Sequence, residues 1–255
     1  MTRSTRMPAA FSRCCLAALL LAAAASAAAQ EQDRLVVGLG AAVLPGYQGS
    51  DDYITDPVPL IDYRKGRFFA RTSDGIGFTV LETGRFTVGA SVAWMRGYDG
   101  KDVPAGIGEL KSALGGRLFV STRLGGALAT VSATQALTKS ERGMQVDARL
   151  AYPWQVDERL TVAPAVSVSW ANDKYMGSYF GIDARRAAAS GLPAYAPSAG
   201  IKDVALRIGV NYRFGQHWSV AGAIGASRLM DAAADSPLVV RKTQPAAMLG
   251  LSYRF

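Results

Sequence analysis

The chain is poor in the groups that usually carry chemistry: 255 residues hold two cysteines and one histidine. Both cysteines, Cys14 and Cys15, fall in an apolar run from Cys14 to Ala25. Arg3, Arg6 and Arg13 precede that run, and Ala27-Ala28-Ala29 follows it just before Gln30. This order reads as a secretory signal peptide over residues 1–29, which takes both cysteines with it when cleaved. The mature chain then has no disulfide framework and no thiolate zinc site. A lone histidine without cysteine also argues against a transition-metal centre. No later stretch approaches the ~20 consecutive apolar residues that a spanning helix requires. Nor is charge concentrated: the mature chain has 25 basic and 20 acidic residues, a net +5, with its arginines scattered. No nucleic-acid stripe results.

Catalytic patterns are missing as well. A Ser-His-Asp hydrolase needs a histidine base, and His217 sits beside Trp218 at an expected turn, where an interface role suits it better. There is no G-x-S-x-G nucleophile elbow. Gly38-Leu39-Gly40 lacks the third glycine of a dinucleotide loop, because Val43 stands there and no helix follows. Small residues facing a barrel lumen account for it. No catalytic, cofactor-binding or metal-binding residue is assigned, and no enzyme is expected.

What the chain does have is alternation. Leu249, Leu251, Tyr253 and Phe255 share one face of an extended segment, and Met248, Gly250, Ser252 and Arg254 share the other. The chain ends on an exposed aromatic, as the closing strand of an outer-membrane barrel does, where that residue is the assembly signal. Such an edge is safe only when it pairs with the first strand. Further strands read from Leu35 to Val43, Val58 to Tyr63, Phe68 to Thr72, Ile76 to Leu81 and Phe86 to Trp94. Others read from Leu114 to Leu124, Ala127 to Leu137, Met144 to Tyr152, Leu160 to Trp170, Val204 to Phe214 and Trp218 to Ala226. Asp74-Gly75 is a tight hairpin signal. Pro164, lacking a donor, predicts a bulge or a local ladder break. Short turns at 65–66, 83–84, 125–126, 154–158 and 215–216 alternate with long loops at 44–55, 96–111, 172–202 and 230–244.

One face is Val, Leu and Ile with Trp or Tyr near the ends; the other is Gly, Ala, Ser and Thr with a few Arg. A charge on a lipid face costs ~2–4 kcal/mol at midplane, so this pattern suits a membrane rather than a soluble sandwich. The expected fold is an all-β, single-domain transmembrane antiparallel barrel over residues 30–255. It has about twelve strands, or ten if the 74–75 hairpin fails. The cell outer membrane of a Gram-negative bacterium is its expected location.

Several segments resemble the MipA/OmpV family. They are Pro45-Gly-Tyr-Gln-Gly-Ser-Asp51, Pro57-Val-Pro59 with Ile61-Asp-Tyr63, and Gly66-Arg67-Phe68. Trp170-Ala-Asn-Asp-Lys-Tyr175, Tyr179-Phe-Gly-Ile182 and Ser190-Gly-Leu-Pro-Ala-Tyr195 follow, then Ser236-Pro-Leu-Val239 and Tyr253-Arg-Phe255. The resemblance implies a scaffold linking a lytic transglycosylase to a penicillin-binding protein; other members are described as adhesins or regulated outer-membrane proteins. It brings no catalytic residues. Expected partners are outer-membrane lipid and lipopolysaccharide, the barrel-assembly machinery through Phe255, and the two murein enzymes. Periplasmic turns such as Trp154 to Glu158 and Gly215 to His217 would contact those enzymes. A narrow channel or a ligand or adhesion barrel is the alternative.

Three groups of residues invite a functional reading beside a bland one. Asp51, Asp52 and Asp56 could gather a hard cation or be a solvated acidic loop. Asp173, Asp183, Arg185 and Arg186, with Tyr175, Tyr179 and Phe180, could fold inward as a plug, bind a partner, or only pack the 172–202 loop. Arg117, Arg123, Arg149, Arg207 and Arg213 could line an anion-favouring lumen or pair with Asp147 and Asp203.

Overall fold

A computed structural model describes residues 33–255, so the signal-peptide reading lies outside the described residues. Thirteen strand segments form one antiparallel sheet. They are β1 (Arg34–Pro45), β2 (Tyr53–Lys65), β3 (Phe68–Arg71), β4 (Gly75–Glu82), β5 (Phe86–Met95), β6 (Ala113–Leu124) and β7 (Ala127–Ala136). Then come β8 (Met144–Ala151), β9 (Trp154–Gln155), β10 (Leu160–Ala171), β11 (Gly200–Phe214), β12 (Trp218–Leu229) and β13 (Thr243–Arg254). β8 and β9 pair with the same strand in one register and make a single stave, so the wall has twelve. β10 pairs with β11, and β13 closes on β1 with Val36 opposite Arg254 and Val43 opposite Ala247. Phe255 N–H donates to the Leu35 carbonyl at 3.0 Å, so the terminal aromatic is itself tied into the seam.

The alternation sorts as a membrane requires. Leu39, Leu118, Leu206, Ile224 and Leu249 are each more than 60% exposed on the outer face. Their inward neighbours are small: a Cβ on Gly38 would meet the Leu251 carbonyl at 2.2 Å, and Ser252 is buried. Phe86, Tyr152, Trp154, Trp218 and Phe255 are exposed around the rim that carries the short turns. Trp94 marks the opposite rim, and aromatic belts of this kind sit at membrane interfaces. Short turns and chain ends share the periplasmic rim of such barrels, while long loops face outward.

Four expectations are corrected. The first loop is 46–52 rather than 44–55, because β2 starts at Tyr53 and carries Pro57 and Pro59 in register with β1. The 172–202 stretch is not irregular: it holds α1 (Asp173–Phe180) and α2 (Ala184–Ser190), and β11 has begun by Gly200. The last loop likewise ends at β13, and it carries one helical turn, α3 (Asp231–Ala234). The bulge in β10 lies between Ser169 and Trp170, not at Pro164, which pairs with Ile208 in unbroken register. The ladder break is where Pro164 predicts it, but on the β8 side. Regular pairing there stops at Ala151 and resumes at Trp154, with one bond between, from the Tyr152 N–H to the Pro164 carbonyl at 2.9 Å. Pro153 is a second residue without a donor.

Candidate functional site

Above the barrel, the long loops build a small hydrophobic core of their own. Tyr47, Tyr98, Val103 and Ile107 pack with Tyr175, Met176, Tyr179, Phe180, Ile182, Ala233 and Leu238, all buried. Local rules set the helices. Asn172 caps α1, its side chain accepting from Tyr175 N–H at 3.0 Å, and Asp183 caps α2, accepting from Arg186 N–H at 2.8 Å. The Arg186 backbone bond, helped by the charges of Arg186 and Arg185, holds the Asp183 carboxyl below the usual carboxylate range. α1 turns Tyr175 and Tyr179 inward, stacked with centroids 4.4 Å apart. Burial pushes the Tyr175 phenol up to about 12, and that of Tyr179 higher still, so both are neutral hydrogen-bonding groups.

A fully buried arginine joins this core to the wall. Arg142 lies in a 3-10 turn between β7 and β8, donating to the carbonyls of Lys111 and Arg96 and to the Tyr179 hydroxyl. Its guanidinium stands 4.6 Å from the Tyr179 ring centroid. Gly143, at φ +67°, follows it; a Cβ there would meet Tyr175 N at 2.3 Å, so only glycine lets α1 approach. Gln244 holds the first loop, accepting from Gly49 N–H at 2.9 Å and donating to the Ser50 carbonyl at 2.8 Å. Lys202 and Asp203 form a buried ion pair under the cap, and Lys202 also donates to Gln48 at 3.0 Å.

Below the cap lies a cavity of about 650 Å³. Tyr47, Tyr98, Tyr175 and Tyr179 roof it, Ser132, Thr130 and Thr134 line one wall, and Arg71, Arg117 and Arg149 enter lower down. Asp62 accepts from Arg34 and from Arg71 at 3.2 Å; Asp74 accepts from Arg117 at 2.5 Å. The expected partners of the arginines are therefore corrected. Asp147 is held by Gln145 and Ser169, and Asp203 by Lys202. Among the described residues, Arg123, Arg149 and Arg207 have no carboxylate within 4.0 Å. Arg213 instead donates to the Glu158 carbonyl at the periplasmic rim.

The remaining candidates separate. Asp56 belongs to β2 and pairs with Arg96 at 2.7 Å, whereas Asp51 and Asp52 stay exposed in the loop, so the three do not converge. His217 stacks on Tyr253 at 5.2 Å within a rim cluster that includes Trp218. In the 172–202 segment Tyr175, Tyr179 and Phe180 pack inward into the loop core, Asp173 accepts from the Ala199 N–H, and Arg185 stays exposed. Sequence reading missed Arg142, Lys202, Gln244 and the second role of Asp74. Only Asp74 had a local signal, and its turn chemistry masked the rest.

A closed antiparallel ring with an apolar outer belt, aromatic rims and a polar interior is a transmembrane β-barrel of the outer membrane. The model described as "MltA-interacting protein MipA" matches residues 37–255, and the chain belongs to that family. Among relatives, the MltA-interacting protein of Escherichia coli (strain K12) is 28% identical over 225 residues, 85% of this chain and 89% of that protein. Similar solved structures include a KdgM porin (TM-score 0.47, 8% identity, 86% of this chain and 99% of that one). An outer membrane channel from Pseudomonas putida F1 is another (TM-score 0.47, 14% identity, 89% and 96%).

Proposed function

We propose that the chain is a non-enzymatic outer-membrane barrel that scaffolds murein-remodelling enzymes, a lytic transglycosylase and a penicillin-binding protein. The name of its Escherichia coli relative points to the first of these. The observation that carries the reading is at the periplasmic rim. Arg213 donates to the Glu158 carbonyl and its N–H to the Arg159 carbonyl at 2.9 Å, so the 156–159 and 215–217 turns are joined. Val156 in the first turn is exposed, as is Phe255 beside the second, where Arg254 N–H donates to the His217 carbonyl at 2.7 Å. Each turn alone falls short of the ~800 Å² per partner of a standard interface, which is why their union matters. Capture of a lytic transglycosylase by the folded barrel is expected to fall at least tenfold in Val156→Asp with Arg159→Glu. Heat-modifiable migration would show the barrel intact, and undiminished capture would refute the role of this patch.

A second reading has its own observation. The cavity under the cap lies in the ~300–1,000 Å³ range of small-molecule sites. A ligand barrel fits a capped lumen better than a permanently open channel does.

A further inference from the structure

The wall has a window. β3 has four residues, and pairs with β2 only from Asp62 to Lys65 and with β4 only from Gly75 to Phe78. The hairpin therefore ends halfway up. Thr72 closes its tip, its N–H donating to the Ile61 carbonyl at 3.1 Å and its hydroxyl to the Pro59 carbonyl at 2.6 Å. Beyond Thr72, no strand pairs with this edge of β2 among the described residues, and Ala93 to Met95 of β5 likewise extend past β4. Asp56 and Arg96 bridge the two sides at the top, 2.7 Å apart.

The window lies within the membrane. Pro59 and Thr55 pair with Leu39 and Val43 of β1, whose side chains are exposed in the apolar belt on its extracellular half. An open strand edge in lipid leaves backbone groups unsatisfied, and is tolerated only where it lines a cavity. This edge is adapted to that state. Pro57 and Pro59 stand two and four residues from Ile61, whose N–H and carbonyl face the hairpin, so the donors they lack are the ones that would point into the opening. Behind the window the cavity continues: Ser73, Asp74, Ala93 and the outward-facing Trp94 line it together with Arg117 and Arg149. Arg117 pairs with Asp74 through Nη1 at 2.5 Å while its Nε is buried without a partner, and Arg149 has no carboxylate within 4.0 Å among the described residues.

We propose that this window is a lateral portal. An anionic amphiphile of the outer leaflet puts its phosphate or carboxylate head into the lumen against Arg117 and Arg149, and leaves its acyl chain in the bilayer. The proposal rests on the ligand-barrel reading and is independent of the scaffold role.

The test uses the mature barrel in zwitterionic detergent, with lysophosphatidylglycerol as the amphiphile and glycerol 3-phosphate as its soluble head, and binding read by native mass spectrometry. One lysophosphatidylglycerol per barrel is expected, bound at least tenfold more tightly than glycerol 3-phosphate. Asp56→Cys with Arg96→Cys should bind like the wild type until a reducible bismaleimide bridges the window. Binding should then weaken at least tenfold and recover on reduction. Arg149→Gln should weaken it at least tenfold with the barrel still heat-modifiable. Equal binding of both probes, unaffected by the bridge, would overturn the portal and leave a ligand site reached from the periplasm. Absence of binding by either probe would overturn the portal and the ligand-barrel reading together.

Discussion

Arg142 is wholly buried, and its charge is met by carbonyls, a phenol and an aromatic face rather than by a carboxylate. Removing it strands buried acceptors, each worth ~1–3 kcal/mol when left unpaired. Arg142→Ala is expected to destabilise the loop cap by about 3 kcal/mol while the strands stay folded. Limited proteolysis should show cleavage in 173–199 that the wild type resists, with heat-modifiable migration retained. Equal resistance would mean that the arginine is not what holds the cap. Sequence hides this role because Lys139-Ser-Glu-Arg142 reads as a solvated turn, and its partners lie 31 to 46 residues away. Gly75 is the opposite case: Asp74-Gly75 announces a turn locally, and the structure places Gly75 at φ +80° with Val92 O only 2.0 Å from where a Cβ would stand.

At the scale of elements, the cap carries a titration of its own. Tyr175 and Tyr179 are neutral when buried, with Tyr175 raised by burial from an ordinary value of 10.0 to about 12. A raised phenol pKa means that the folded cap holds its protons longer than the unfolded one. Its contribution is then complete below pH 10 and is lost as pH climbs toward 12. The part of the tyrosinate absorbance that Tyr175→Phe with Tyr179→Phe removes should therefore appear together with protease sensitivity in α1, before any loss of far-ultraviolet strand signal. Simultaneous loss of cap and strands would contradict a separately folded cap. The strands were legible in the sequence because period-2 alternation is local, as at Leu249 and Leu251 against Gly250 and Ser252. α1 and α2 were not. They are 8 and 7 residues long, and their only local marks are the caps Asn172 and Asp183. Packing against Tyr47, Tyr98 and Leu238, from three other loops, supplies the rest. Pro57 and Pro59 hid the first half of β2 because proline signals an ending, whereas here it occupies an edge that lacks a partner.

For the whole molecule, Phe255 ties the last strand to the first, its N–H donating to the Leu35 carbonyl at 3.0 Å. If Phe255 is the assembly signal expected of a closing strand, Phe255→Ser lowers the yield of heat-modifiable barrel in cells several-fold. Refolding from denaturant into detergent should proceed at the wild-type level, because the side chain is 73% exposed and packs mainly on Tyr253. Equal yields in cells would remove the assembly role. The molecule as a whole is a twelve-stave barrel with a folded cap over a basic, hydroxyl-lined cavity. The direct measurement is single-channel conductance of the mature chain in planar bilayers, with and without residues 173–199. The account predicts silence from the intact barrel and steady conductance from the deleted one, both heat-modifiable. Steady conductance from the intact barrel, or silence from both, would contradict it.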